Sequence, residues 1–419
     1  MANACPEAKP YPYMVAGLPP PPEFPMMFPV NPNSHSSPLS RRRFLAHSGA
    51  AALSTLAIPG AAFAAAPSAT IHETKIISQQ PEYYHGWPTI CRRKNGELML
   101  TWSGRREEHV CPFGTVEMMQ SRDNGKSWTF PRTLLDSAID DRDSGCLETA
   151  KGSLIVTTFT SLAYDDYYLK KGKHTEDPKW LAAHARLPDD AARAADLGEW
   201  AIRSTDGGVT WSARIDTIAN SPHGPIQLAD GRLLYPGKAL WEDGKRVGVS
   251  VSEDDGKTWQ WLADIPTREG DDATGSYHEL HGVECASGKI VVQIRNHNAA
   301  NKGETLQTES TDGGKTWSVP HPIGVWGLPS HLLRLADDRL LMTYGHRRKP
   351  FGNQARVSSD EGVTWSEPVT LSDDGVGGDL GYPSTVQLDD GSLVTVWYEN
   401  MADSPRAVLR QAHWSLNAE

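Results

Sequence analysis

Short apolar runs rich in β-branched residues recur six times along the chain, each entered through a tight polar turn. The turns with their first strand residue read Gly96-Glu97-Leu98, Gly152-Ser153-Leu154, Gly231-Arg232-Leu233, Gly288-Lys289-Ile290, Asp338-Arg339-Leu340 and Gly391-Ser392-Leu393. Strand-forming runs follow, such as Ile290-Val291-Val292 and Leu393-Val394-Thr395-Val396. Between these repeats stand five copies of S-x-D-x-G-x-[S/T]-W, beginning at Ser121, Ser204, Ser252, Ser310 and Ser358 and closing on Trp128, Trp211, Trp259, Trp317 and Trp365. Asp bonds nearby backbone N–H groups and Gly accepts positive φ, so each copy suits a hairpin turn. The closing Trp can pack between neighbouring units. Spacings of 48 to 83 residues indicate an array of similar supersecondary units. Six turn-strand repeats predict an all-β chain folded as a six-bladed β-propeller of four-stranded blades. The segment 70–79 is expected to supply the last strand of blade six, which removes the open edge of the ring.

One stretch breaks the pattern. Between the blade-two strand near Leu154 and the repeat at Ser204, residues 179–197 are rich in Ala, Leu, Arg and Asp and predict one or two short helices. Tyr164-Asp165-Asp166-Tyr167-Tyr168 precedes them. This helical insertion in blade two is either a lid or rim carrying aromatics, or a helix packed on the outer edge of the ring.

Strand order decides which end of a propeller works. Blade strands meander outward from the axis, and the repeated glycine turns join the first strand to the second. The Ser-Asp-Gly turns join the third strand to the fourth, at the same end, and are therefore scaffold. The opposite face is lined by residues that begin each innermost strand and by those just after each second strand. Nine residues before each turn stand Trp87, Asp143, Pro222, Glu279, Pro329 and Tyr382, with His223 beside Pro222. The second set contributes Arg105, Arg106, His109, Arg295, Arg347 and Arg348. Carboxylates, a tyrosine and several cations thus converge on the axis, the usual composition of a ligand site.

The five turns resemble the Asp boxes of the sialidase superfamily, and the resemblance covers about residues 75–415. It implies a retaining exo-glycosidase with a tyrosine nucleophile, an activating glutamate, an aspartate acid/base and three arginines on the substrate carboxylate. Gly381-Tyr382-Pro383-Ser384, with Trp397-Tyr398-Glu399 behind it, resembles the nucleophile segment and maps that role to Tyr382. Glu279, with Arg295 behind it, is similar to the activating glutamate and second arginine. Arg347 matches a third. Two positions depart from the family. The first arginine's place reads Gly86-Trp87-Pro88, so Arg105 or Arg142 is left to replace it, Asp143 and Trp87 lining the site beside them. The acid/base aspartate's place, twelve residues before Ser121, is His109. A histidine still shuttles a proton near neutrality. The implied substrate is a glycan ending in an acidic sugar, nominally sialic acid. A lyase or a glycosidase for another acidic sugar, with His109 and Tyr382 as base and acid, and a non-catalytic glycan-binding propeller are the other readings.

Charge and termini complete the picture. Net charge is −11, and the first 64 residues carry four basic and two acidic groups, which argues against nucleic acid or an anionic membrane as partner. Ser40-Arg41-Arg42-Arg43-Phe44-Leu45 resembles a twin-arginine export signal, followed by a small apolar run and Ala62-Phe63-Ala64, which fits signal-peptidase cleavage. The expected organisation is a Pro-rich leader at 1–39, a signal at 40–64 and a propeller at 65–419 that works in the periplasm or medium. Of Cys91, Cys146, Cys285 and Cys111, the first three fall in expected inner strands and are expected to pack as small hydrophobes. No Cys or His spacing suggests zinc, and no motif calls for a cofactor.

Overall fold

The structure is a computed structural model that describes residues 67–241 and 245–417. The leader and signal expected at 1–39 and 40–64 lie outside the described residues. Six four-stranded antiparallel sheets form a ring. Blade one comprises Tyr84–Arg92, Leu98–Arg106, Thr115–Ser121 and Arg132–Leu135, and blade two Asp140–Glu148, Leu154–Ser161, Glu199–Ser204 and Ile215–Asp216. Blade four begins with Tyr277–Glu284 and blade five with Ser330–Arg334. Blade six joins Leu380–Gln387, Leu393–Glu399 and Val408–Leu416 to Ala69–Ile76, the first strand of the described residues. That pairing runs from Ala69 opposite Leu416 to Ile76 opposite Arg410 and closes the ring. Blade three is the thinnest at the axis. Its inner strand is only Ile226–Gln227, because Pro222 and Pro225 lack the N–H that a ladder needs.

The core is divided among the blade interfaces. Leu98, Leu100 and Trp102 of blade one meet Val394, Val396 and Leu409 of blade six. Met99, Val116 and Met118 of blade one meet Leu154, Val156 and Ile202 of blade two. The Asp-box tryptophans explain why the motif recurs. Trp128, Trp211, Trp259, Trp317 and Trp365 each join the cluster between their own blade and the one before it. Trp128 Nε1 donates across the closure to Gln411 Oε1 at 2.9 Å, and Trp365 Nε1 to Gln307 Oε1 of blade four at 3.2 Å. The sixth interface has no Asp box, and Trp397 and Trp414 fill it. Within a box, Asp254 Oδ1 accepts from Ser252 Oγ at 2.9 Å and Thr258 N at 2.9 Å, while Gly256 takes a φ of 82°. Among the described residues Cys91, Cys111, Cys146 and Cys285 are buried and form no disulfide.

The insertion folds as short helices at Ala163–Tyr167, Leu169–Lys171, Pro178–His184 and Asp190–Ala195. It starts earlier than the composition of 179–197 predicts. The Tyr164 stretch has no helical apolar period, and its helix is held by the fully buried Tyr164 ring. The insertion packs on the loop after the second strand of blade one, where Tyr164, Trp180 and Ala183 bury against Val110, Cys111 and Phe113. It is a rim element on the face where second strands end.

Candidate active site

Four inner strands break their ladder at the same place. Trp87, Asp143, Glu279 and Tyr382 have φ of 53°, 51°, 47° and 52°. Register shifts bracket each of them, between Gly86 and Thr89, Arg142 and Gly145, His278 and His281, and Gly381 and Ser384. A left-handed residue with a Cβ costs on the order of 1–2 kcal/mol. Bulges of this kind re-aim a side chain beside active sites. Blades three and five carry Pro222 and Pro329 at the equivalent positions, and proline's fixed negative φ forbids the same bulge.

The four bulged residues meet across the axis. Tyr382 Oη of blade six donates to Glu279 Oε1 of blade four at 2.5 Å. Arg295 Nη1 donates to Glu279 Oε2 at 2.5 Å and to Tyr382 Oη at 3.1 Å. The Arg347 guanidinium lies 5.6 Å from the Tyr382 ring centre and its Nε donates to Leu380 O at 3.0 Å. Burial alone would keep Glu279 protonated, but Arg295, the Tyr382 hydroxyl and Arg347 together hold it at about 2. Burial and the Glu279 charge push Tyr382 far above the ordinary phenol value. The resting pair is therefore a carboxylate accepting from a neutral phenol, with the nearby cations balancing the carboxylate.

His109 stands on the neighbouring wall. Its ring lies 5.0 Å, edge-on, from Trp87, and Trp87 lies 6.4 Å from Tyr382. Asp379 Oδ1 is 3.2 Å from His109 Nδ1 and also accepts from Tyr84 Oη at 3.1 Å and Tyr398 Oη at 2.9 Å. Burial resists the charge on Asp379, but His109 and the two tyrosines outweigh it and hold the carboxyl well below its usual range. Desolvation lowers His109 itself, Asp379 opposes the shift, and Arg142 and Arg106 add to it. The His109 side chain is 47% exposed, so the imidazole is open to a ligand. An Nδ1–H held by Asp379 leaves Nε2 free to face that ligand.

A BNR repeat-like domain is matched over residues 181–395, just over half of the 419 residues. The chain belongs to the BNR repeat-like domain family. It is 25% identical over 322 residues to a sialidase of Bacteroides fragilis (strain YCH46), across 70% of this chain and 55% of that protein. It is 23% identical over 360 residues to a sialidase of Micromonospora viridifaciens, across 78% of this chain and 51% of that protein. The chain spans about half the length of these curated relatives. Its ring is similar to that of a protein of unknown function from Dyadobacter fermentans, with a TM-score of 0.68 at 23% identity, covering 84% of this chain and all of that one. This BNR repeat-like chain is a divergent member of the sialidase superfamily.

Trp87 and His109, the two departures named from the sequence, lie side by side. The Trp87 ring is 1% exposed, with the Arg142 guanidinium 4.6 Å and the Arg106 guanidinium 4.9 Å from its centre. Arg106 is fully buried and bidentate on Asp140, at 2.6 and 2.8 Å. The Arg142 guanidinium makes no ion pair or hydrogen bond among the described residues, and its buried Nε has no partner. Arg105 points elsewhere, 49% exposed and 3.3 Å from Glu117. Of the two substitutes for the missing first arginine, the structure thus brings Arg142 to the site and leaves Arg105 outside it. Asp143 is buried, its carboxyl has no hydrogen bond among the described residues, and burial pushes it up to about 7 against the pull of Arg142. His223 lies deeper on the axis, its ring 6.3 Å from Tyr382 and packed with His281 and His331 at 5.4 and 5.1 Å.

Sequence reasoning passed over Asp379, Tyr84 and Tyr398. A signal existed for two of them. Tyr84, Asp140 and Asp379 all stand twelve residues before their glycine turns, so the count that found Tyr382 finds them three positions earlier. Among the described residues no cluster of three or more His, Cys, Asp or Glu has the geometry to hold a metal.

Proposed function

We propose that this propeller is a retaining exo-glycosidase that removes a terminal acidic sugar, nominally sialic acid, from glycans. The observation that carries the reading is the Tyr382–Glu279–Arg295 constellation, contributed by two blades that do not neighbour each other. Tyr382 Oη attacks the anomeric carbon while its proton passes to Glu279. Transfer becomes favourable as positive charge develops on the sugar, which stabilises phenolate more than phenol. A neutral nucleophile also avoids repulsion from a carboxylate on the anomeric carbon, and tyrosine nucleophiles are a recognised exception to the two-carboxylate scheme. Arg142 and Arg347, with open guanidinium edges, bind the sugar carboxylate, and Arg295 keeps Glu279 ionised.

His109 protonates the departing oxygen through Nε2 and later deprotonates the incoming water, with Asp379 holding the other nitrogen. The lowered pKa of His109 puts the best rate on the acidic side of neutrality. Glycosylation requires the protonated imidazole, so kcat/KM falls as pH rises through that pKa. Export under residues 40–64 would bring the enzyme to its glycans outside the cytoplasm. The same depressed pKa favours one second reading. A neutral His109 is a base at pH 7, suited to β-elimination from a uronic acid with Tyr382 as the acid.

A panel of sialylated, uronic-acid and rhamnosyl glycans separates the readings. The proposal expects a free sugar, lost in Tyr382→Phe by about 100-fold or more. An unsaturated product absorbing in the ultraviolet would replace it with elimination, and binding without turnover would replace both.

A further inference from the structure

We infer that the helical insertion of blade two fixes the position of the His109 loop, and that Trp180 is its positioning residue. The loop lies between Leu98–Arg106 and Thr115–Ser121 and has no regular structure of its own. The residues on its N-terminal side are tied to the insertion. Glu107 Oε2 accepts from Trp180 Nε1 at 3.1 Å, and Glu107 Oε1 accepts from Lys179 Nζ. Glu108 accepts from Lys173 Nζ at 2.9 Å and pairs with His174 Nε2 at 2.8 Å. On the other side, Val110, Cys111 and Phe113 bury against Tyr164, Trp180 and Ala183. His109 is thus the exposed crest of a loop whose flanks both end in the insertion.

Trp180 joins the two halves of this contact. It is fully buried, stacked on His174 at 4.0 Å and 5° between planes, with Phe113 edge-on at 5.7 Å and Tyr168 at 5.5 Å. One side chain therefore touches the acidic flank, through Nε1, and the apolar flank, through its ring. The loop backbone is otherwise held by blades one and two, where Arg106 Nη2 donates to His109 O at 3.0 Å, Cys111 N to Asp140 Oδ2 at 3.4 Å and Asp141 N to Gly114 O at 3.1 Å. Two ties on the ring, Asp379 and Tyr84, hold the imidazole only if the backbone delivers it to them. No hydrogen bond from the insertion among the described residues reaches Tyr382, Glu279, Arg295 or Arg347. The insertion accordingly acts on the proton-transfer side of the site and leaves the nucleophile side alone.

The inference rests on the reading of His109 as acid/base only for its kinetic consequence. The test uses the full mature chain with Trp180→Ala and Trp180→Phe, the second keeping a ring in the nest and losing the N–H to Glu107. His109 ring protons are followed by NMR titration, and kcat is measured on glycosides with a poor and with an activated aryl leaving group. In Trp180→Ala the His109 titration is expected to move up toward the ordinary imidazole value near 6.5 as the ring leaves its desolvated place. The poor-leaving-group kcat is expected to fall about 100-fold, the loss that a displacement of about 1 Å produces, with the activated substrate within about threefold. Trp180→Phe should lie between wild type and Trp180→Ala. A folded Trp180→Ala protein with an unmoved His109 titration overturns the inference. If that variant does not fold, an unmoved titration in Trp180→Phe overturns it instead. A titration that moves while both substrates lose equally upholds the positioning and refutes the acid/base role.

Discussion

Asp143 offers the sharpest thermodynamic test of the site. The residue is 7% exposed and its carboxyl has no hydrogen bond among the described residues, so burial holds it up to about 7 against an unfolded value of 3.8. Arg142 pulls it down and Glu279 pushes it up, and burial exceeds both. The unfolded chain releases its proton above 3.8 while the fold keeps it until about 7, so the fold loses stability as pH rises through that window. At 1.36 kcal/mol per pH unit the full penalty at pH 8 is about 4 kcal/mol. Asp143→Asn replaces the carboxyl by a neutral group of the same shape and removes the titration. Linkage puts the variant's advantage over wild type about 2–3 kcal/mol larger at pH 8 than at pH 5. A domain of about 350 residues unfolds with an entropy of roughly 0.7 kcal/mol/K, so this is about 3–4 °C in Tm. Paired thermal melts at pH 5 and pH 8 read it directly. A melting difference that is equal at the two pH values, or larger at pH 5, would refute the burial argument.

Three further outcomes follow from other parts of the molecule. His223, His281 and His331 are held neutral by burial, His223 at about 3. Each costs stability as pH falls below 6.5, because the unfolded chain then binds the proton. His331→Gln should lose packing at every pH, but its deficit against wild type should shrink by about 1.4 kcal/mol between pH 7.5 and 5.5; a constant deficit counts against a neutral His331. Asp254→Ala removes four hydrogen bonds from an Asp box and should cost roughly 2–4 kcal/mol by denaturant titration with kcat unchanged, since the box lies on the far face. A lower kcat in the folded variant would contradict that placement. Arg142→Ala should raise KM for an acidic sugar about tenfold or more. Arg105→Ala should leave it within about twofold, since a partly exposed pair with Glu117 contributes little; equal effects from the two would remove Arg142 from the clamp.

Propeller geometry was legible because it is periodic. The glycine turns fixed the blade count, and a constant offset of nine residues located Trp87, Asp143, Glu279 and Tyr382 before any contact was visible. The offset works because the four inner strands that carry the bulge are eight or nine residues long and place it at one distance from the turn. What escaped it depends on contacts between elements. Asp379 matters because blade six abuts blade one, bringing it to His109 and Tyr84. Arg105 and Arg106 are neighbours in sequence, yet strand alternation sends one to solvent beside Glu117 and locks the other on Asp140. For the insertion the sequence left rim and outer edge both open, since its aromatic residues name no partner until Trp180 is seen against Glu107 and Phe113.

The central claim is that Tyr382 forms a covalent bond to the sugar. A fluorinated acidic sugar with an activated leaving group forms the glycosyl-enzyme and then turns over slowly, so the intermediate accumulates for peptide mass spectrometry. The account predicts one glycosyl mass on the peptide containing Tyr382, absent from Tyr382→Phe. A label on Glu279 or Asp143, or turnover of the probe to an unsaturated sugar with no label on the protein, would contradict it.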